Sequence, residues 1–198
     1  MITMNTRRNM LGSLGAALLA PSTALAAPAL KTAASSDRNY FPNALFTTHE
    51  GRTVRFYDDL VRDKIILVNM LLMTCRDGIC PLMTHNLKMV QKALGDRVGK
   101  DIFMYSITLN PEFDSHHMLN AYAKSFDVQS GWSFLTGTAP ETDIIRRKLG
   151  FSSPDPVTDK DPAQHTGMIR IGNAKLDRWC MMPGLMSAKQ IATAVRNL

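Results

Sequence analysis

Runs of apolar residues separated by polar turns divide residues 40–198 into alternating strands and helices. Residues 64–73 form a continuous apolar run rich in branched side chains, which is typical of a central strand buried on both faces. Helical spacing follows over residues 81–94, with Pro81 at a favourable first-turn position, and residues 102–109 predict a second buried strand. Asp114 can cap the next helix, which extends to Phe126.

Shorter patterns complete the predicted fold. Leu45–Thr48 and residues 53–57 flank a polar turn and predict an N-terminal β-hairpin. The remaining predicted elements are a strand at 132–135, a helix at 141–149, a loop at 151–163, a hairpin of strands 166–171 and 175–180, and a helix at 187–197. This alternation predicts an α/β sandwich in which helices flank a central mixed β-sheet.

The first residues have the layout of an export signal. Arg7 and Arg8 precede a short apolar stretch, and Ala24-Leu25-Ala26 forms a small-residue cleavage site. The adjacent arginines favour the twin-arginine type over a general secretory signal. We therefore predict a cleaved signal over residues 1–26, a flexible linker over 27–39 and one domain over 40–198, located in the periplasm or another extracytoplasmic space.

Composition narrows the range of partners. The chain of 198 residues is 45% hydrophobic and 20% charged, as in ordinary globular proteins, with a net charge of +6. Loss of residues 1–26 would leave 21 basic and 17 acidic residues, a net charge of +4. No basic run with interleaved aromatics remains, so nucleic-acid binding is not expected. No apolar run reaches ~18–20 residues, so we expect membrane contact only through a partner.

Two of the three cysteines occupy a chemically favourable position. Cys75 and Cys80 lie where the most apolar predicted strand ends and a helix begins. Ligands of open α/β sheets bind outside the carboxyl ends of the strands. A helix N-terminus also favours the thiolate, which attacks disulfides and binds soft metals. The alternatives from the residues alone are two unrelated buried cysteines or a plain structural disulfide.

The order of elements and four motifs resemble a known family. Strand, cysteine-rich loop and helix, followed by a late hairpin and helix, resemble the thioredoxin fold. Four segments are similar to motifs of the Sco/SenC family of copper-binding assembly proteins: Cys75…Cys80-Pro81, Asn110-Pro111-Glu112-Phe113-Asp114, Trp132-Ser133-Phe134-Leu135-Thr136-Gly137 and Gln164-His165-Thr166. The resemblance extends over residues 40–198, essentially the whole predicted domain.

This resemblance implies a metal site formed by Cys75, Cys80 and His165. Two thiolates and an imidazole suit Cu(I), and an added weak ligand suits Cu(II). The implied partners are a thiol reductant and a copper-receiving protein or apo-cuproenzyme, which in this family is typically a respiratory oxidase such as cytochrome c oxidase. The implied role is therefore that of a copper metallochaperone.

The chain departs from the family pattern in ways that keep a second function open. Four residues separate the cysteines instead of three, Arg76 replaces the usual proline, and Gln164 replaces the acidic residue before the histidine. We expect Gly78 to absorb the extra residue through an unusual backbone angle. The alternative is a thiol–disulfide oxidoreductase without copper, in which Cys75 attacks and Cys80 resolves. A peroxide-reducing relative with the same fold is a third hypothesis.

The third cysteine lies in the late predicted hairpin. If residues 172–175 form a tight turn, Gly167 opposes Cys180 and His165 opposes Met182. Opposed residues share a face of a hairpin, so Cys180 and Met182 would lie on the side of His165. The alternative is that Cys180 is a small buried apolar residue, as most free cysteines are.

Overall fold

The computed structural model describes residues 40–75 and 77–198. The strands within these residues are β1 (Leu45–Thr48), β2 (Thr53–Arg55), β3 (Ile65–Leu71), β4 (Ile102–Thr108), β5 (Trp132–Gly137), β6 (Met168–Asn173) and β7 (Arg178–Pro183). They form one seven-stranded sheet in the order β2-β1-β5-β4-β3-β6-β7. β3, β4 and β5 are parallel to one another, and the other neighbours pair antiparallel. The predicted mixed sheet and N-terminal β-hairpin are confirmed.

Helices connect and cover these strands. They are α1 (Ile79–Leu94), α2 (His116–Ser125), α3 (Ala139–Lys148), α4 (Pro156–Lys160) and α5 (Ala188–Arg196), with a π-helical turn at Phe56–Val61 and 3-10 turns at Gly95–Arg97 and Pro162–His165. The segment 151–163, which the sequence predicted as a loop, contains α4 and the first residues of the 3-10 turn at Pro162–His165. Within the described part of the chain, every helix is too short or too polar to cross a bilayer. The predicted export signal and linker lie outside the described residues.

Each face of the sheet has its own apolar core. On one face α1, α2 and α5 cover Leu67, Leu71 and Ile171, and Cys80 lies in this core. On the other face Ile66, Val68 and Met70 are covered by α3 and by the aromatic side chains of the π-helical turn. β3 therefore contributes alternate side chains to both cores, which explains why its sequence is apolar at almost every position.

The prediction that Asp114 caps α2 is wrong. The N-cap is Ser115, whose hydroxyl accepts a hydrogen bond from Met118 N at 3.3 Å. Asp114 is buried, and its carboxylate accepts a hydrogen bond of 2.5 Å from the hydroxyl of Thr108 at the end of β4. Because the cap is one residue later than predicted, Asp114 turns away from the helix and fastens the loop to β4.

The register of the late hairpin also differs from the prediction. Ile171, not Gly167, opposes Cys180, and Ile169, not His165, opposes Met182. The predicted turn at residues 172–175 is wrong because Gly172 still pairs with Ile66 of β3, which extends β6 to Asn173. The shift is by an even number of residues, so Cys180 and Met182 nevertheless face the core that contains Cys80.

We predict that Gly131→Ala lowers the free energy of unfolding by at least about 2 kcal/mol. Gly131 has φ +87°, and an added Cβ would lie 2.4 Å from Gly99 N and 2.7 Å from a methyl group of Val98. Denaturant unfolding followed by circular dichroism measures the change. Gly167→Ala is the matched control, because nothing lies within 4 Å of its added Cβ. Equal stability of the two variants would contradict this interpretation.

Candidate functional site

The two cysteines meet at the carboxyl end of β3. Cys75 follows the strand by four residues, and Cys80 is the second residue of α1. Gly78 precedes the helix in the left-handed conformation, with φ 73° and ψ 4°, as the spacing of the cysteines led us to expect. Cys75 is half-buried and Cys80 is buried, and both are free thiols. The longer spacing is therefore accommodated in the loop, while Cys80 stays in the first helical turn.

The thiols have different hydrogen-bond environments. The Cys75 sulfur accepts a hydrogen bond from the backbone N–H of Cys80 at 3.4 Å, and its S–H donates to the Asp77 carboxylate at 2.6 Å. The Cys80 sulfur accepts a hydrogen bond from Leu72 N at 3.4 Å. Cys75 is thus the accessible thiol at the helix N-terminus, and Cys80 is the sheltered one.

The pKa values of two neighbouring groups follow from these contacts. Burial raises the pKa of the Cys80 thiol to about 12, against the opposing effect of the Leu72 N–H. The hydrogen bond from Cys75, with a second from Ile79 N, lowers the pKa of the Asp77 carboxyl. Asp77 therefore remains a carboxylate beside the accessible thiol. The spacing of the cysteines alone gave no sign of this contact.

A tyrosine from α2 also reaches the cysteines. The Tyr122 hydroxyl lies 3.0 Å from the Thr84 hydroxyl, which in turn donates to the carbonyl of Cys80 at 2.9 Å. Burial, with a smaller contribution from the two cysteines, raises the pKa of Tyr122 to about 12 against the opposing hydrogen bond with Thr84. Sequence reasoning missed this residue because the contact joins positions 38 residues apart.

His165 is not assembled with the cysteines in this structure. Its ring is buried, with Nε2 3.0 Å from the carbonyl oxygen of Asp159 and 3.2 Å from Nη1 of Arg146 in α3. The hydroxyl of Thr166, the next residue, donates to the carbonyl of Ala163 at 3.0 Å and lies near enough to Cys80 to oppose the rise in the pKa of that thiol. Among the described residues, no group of three or more His, Cys, Asp or Glu side chains is arranged to hold a metal ion.

The site therefore consists of two parts, and the consecutive residues His165 and Thr166 belong to different ones. The thiol pair and Thr166 lie at the end of β3, and His165 lies with Arg146 and Asp159 beside α3. Arg146 and Asp159 were also missed by the sequence analysis. Their acidic and basic side chains resemble ordinary surface residues in the sequence, and only the packing of α4 against α3 buries them.

Comparison with known proteins adds a family and a fold. A family model described as SCO1/SenC matches residues 36–198. A search of curated proteins by sequence finds no significant match. Among solved structures, similar ones include a SCO1/SenC family lipoprotein from Bacillus anthracis, with a TM-score of 0.65 and 20% identity over 80% of this chain and 94% of that one.

Two further similar structures contain copper. ScoI of Bradyrhizobium japonicum with copper bound has a TM-score of 0.61 and 18% identity over 79% of this chain and 98% of that one. Yeast Sco1 with copper bound has a TM-score of 0.61 and 17% identity over 80% and 91% of the two chains. At these identities the likeness establishes the thioredoxin-like fold, as the sequence predicted.

We predict that Cys75 is alkylated by iodoacetamide at least about tenfold faster than Cys80 in the reduced, folded protein. With a pKa of about 12, the folded Cys80 thiol is almost wholly protonated at neutral pH. The labelling rate of Cys80 in the folded protein should therefore rise without a plateau up to about pH 10. In the unfolded chain the labelling rate of Cys80 should level off at about pH 9. Peptide mass spectrometry resolves the sites. Faster labelling of Cys80 would contradict the assignment of roles.

Proposed function

Because the chain belongs to the SCO1/SenC family, we propose that it is an extracytoplasmic copper-binding protein. It delivers copper to a partner cuproenzyme such as a respiratory oxidase, or prepares the cysteines of that partner to receive it. The observation that carries the proposal is the pair of free thiols at the carboxyl end of β3, one accessible and one sheltered.

The chemistry of this pair suits a soft metal ion. Two thiolates are preferred ligands of Cu(I). The backbone N–H groups that point at the sulfurs of Cys75 and Cys80 stabilise the thiolates that form when the metal ion displaces the thiol protons, against the burial that raises the pKa of Cys80. ScoI of Bradyrhizobium japonicum and yeast Sco1 are similar proteins whose structures contain copper. The similar protein BsSco belongs to the Sco family of cytochrome c oxidase assembly proteins, which supports an oxidase as recipient.

His165 completes the proposed ligand set after a local rearrangement. Its neighbour Thr166 lies near enough to Cys80 to lower the pKa of that thiol, which supports a short path for the imidazole. Rotation of the His165 side chain, with adjustment of the 3-10 turn at Pro162–His165, is the required movement. The imidazole then supplies the third ligand, and Cys75 and Cys80 hold the ion before it arrives.

The proposed location follows from the N-terminal residues. Arg7, Arg8 and the small residues at 24–26 support export and cleavage. In an oxidising compartment the thiols need a reductant before they can bind copper. A thiol reductant and an apo-cuproenzyme are therefore the proposed partners.

We predict that the reduced full-length chain binds one Cu(I) per molecule in competition with a chromophoric chelator. Cys75→Ser and Cys80→Ser should each weaken binding by more than about 100-fold, because loss of a ligand exceeds the effect of changing its surroundings. Cys180→Ser is the control, since that thiol faces the core and should leave affinity unchanged. Unaltered binding in either of the first two variants would refute the proposed site.

The asymmetry of the thiols also favours a second candidate function, that of a thiol–disulfide oxidoreductase. The Cys75 thiolate would attack a partner's disulfide and form a mixed disulfide, releasing one partner thiolate. The Cys80 thiolate would then attack the Cys75 sulfur, releasing the second partner thiolate and leaving a Cys75–Cys80 disulfide. The partner thus gains two electrons and two protons, and a thiol reductant restores the pair.

A trapping experiment separates these functions. If the oxidoreductase is correct, Cys80→Ser should accumulate a mixed disulfide with a disulfide-containing peptide, and His165→Ala should react as fast as the unmodified protein. If the copper protein is correct, His165→Ala should weaken Cu(I) binding. Mass spectrometry of non-reduced samples and chelator competition give the two readouts.

A further inference from the structure

Arg146 forms a buried polar centre beside His165. Its side chain is only 6% exposed, and Nη1 donates to the carbonyl of Phe151 at 2.6 Å and to the Asp159 carboxylate at 2.8 Å. Nη2 donates to Asp159 at 3.1 Å and to Asp143 at 2.6 Å. These bonds use the planar guanidinium group as a fork, which makes the arrangement rigid.

Asp159 is held from several directions. Besides Arg146, it accepts a hydrogen bond from Ser153 N at 2.8 Å, and the exposed Arg147 pairs with it at 2.5 Å. The Arg146 guanidinium, with the Ser153 N–H, lowers the pKa of the Asp159 carboxyl. Asp159 therefore stays charged, and its ion pair with Arg146 fixes α4 against α3.

The contacts of Arg146 and Asp159 also indicate which nitrogen of the His165 ring carries the hydrogen. Both Nη1 hydrogens of Arg146 are already taken by Phe151 and Asp159 at shorter distances than the 3.2 Å contact to His165. The ring Nε2 therefore donates its hydrogen to the carbonyl of Asp159 at 3.0 Å. The lone pair then lies on Nδ1, which has no hydrogen-bond partner among the described residues.

The surroundings leave room for the imidazole to depart. A cleft of about 200 Å³ borders His165, with Leu109, Pro111 and Thr142 among the residues that line it. The buried Thr142 hydroxyl, within this cleft, has no hydrogen-bond partner among residues 40–75 and 77–198. The cleft therefore gives the ring space next to Arg146 into which it can turn.

We propose that the Arg146–Asp159 ion pair is a latch that holds His165 away from Cys75 and Cys80. Copper first binds at the two thiols, and His165 joins as a ligand through Nδ1 only after its contacts with Arg146 and Asp159 break. This inference rests on the proposed copper-binding function. It makes Arg146 a positioning residue that lowers copper affinity, although it contacts neither thiol.

The test is a double-mutant cycle on Cu(I) affinity in the full-length chain. Arg146→Gln should tighten binding by about tenfold, if the latch is closed in about nine molecules of ten. Addition of His165→Ala should abolish this gain, because the released ligand is then absent. Arg97→Gln is the control, since Arg97 also pairs with an aspartate, Asp101, but is not among the contacts of Arg146, Asp159 or His165.

A spectroscopic readout separates a latch from a general structural role. Loading with Cu(II) should give histidine-nitrogen couplings in the electron paramagnetic resonance spectrum that are stronger in Arg146→Gln than in the unmodified protein and absent in the double variant. Arg146→Lys keeps a cation opposite Asp159 and should change affinity in the same direction by a smaller factor. If Arg146→Gln fails to fold, Arg146→Lys with and without His165→Ala gives the same double-mutant cycle.

The outcomes distinguish the two proposals. Copper binding that requires Cys75 and Cys80 but does not tighten in the Arg146 variants would refute the latch and leave the proposed function intact. A gain that persists without His165, or equals that of Arg97→Gln, would also refute the latch. Absence of copper binding by the unmodified protein would refute the proposed function itself.

Discussion

Burial of β3 between β4 and β6 is the constraint on which the rest of the structure depends. Its side chains enter both apolar cores, so the strand cannot shift by one residue without exchanging the contents of the two cores. A buried hydrogen-bond chain from Asn69 through Ser106 to Trp132 adds polar contacts across β3, β4 and β5. The carboxyl end of β3, and with it the cysteine loop, is consequently held in one position.

The two parts of the site differ in how they are held. The thiols depend on β3 and on the first turn of α1, whereas His165 depends on the side of α3 that carries Arg146. Adjacent residues of one short turn thus face different surroundings, with Thr166 toward Cys80 and His165 toward Asp159. A copper carrier must also release its ion. If His165 exchanges copper for its contacts with Arg146 and Asp159, the affinity for copper falls while the two thiols that receive the ion are unchanged.

The local pattern of apolar and polar residues was sufficient to predict the structure of segments whose environment follows from their own sequence. The apolar run that became β3 and the turn between β1 and β2 were predictable, as was the unusual backbone of Gly78. The hairpin register was not, because pairing with β3 extends β6 beyond the glycine that the local pattern assigned to the turn. Asp114 was misassigned for a related reason: Ser115 can cap the helix equally well, and Thr108 binds the carboxylate.

The amino-acid sequence by itself determined the α/β order of the elements, the family resemblance and the position of Cys75 and Cys80 between a buried strand and a helix. These features follow from periodicity and from residues close together in the chain. Only the tertiary structure decided which way His165 points, because its neighbours Arg146 and Asp159 belong to other elements. A charged side chain in a sequence is equally compatible with solvent and with a buried partner, and the choice is made when α3 and α4 pack together.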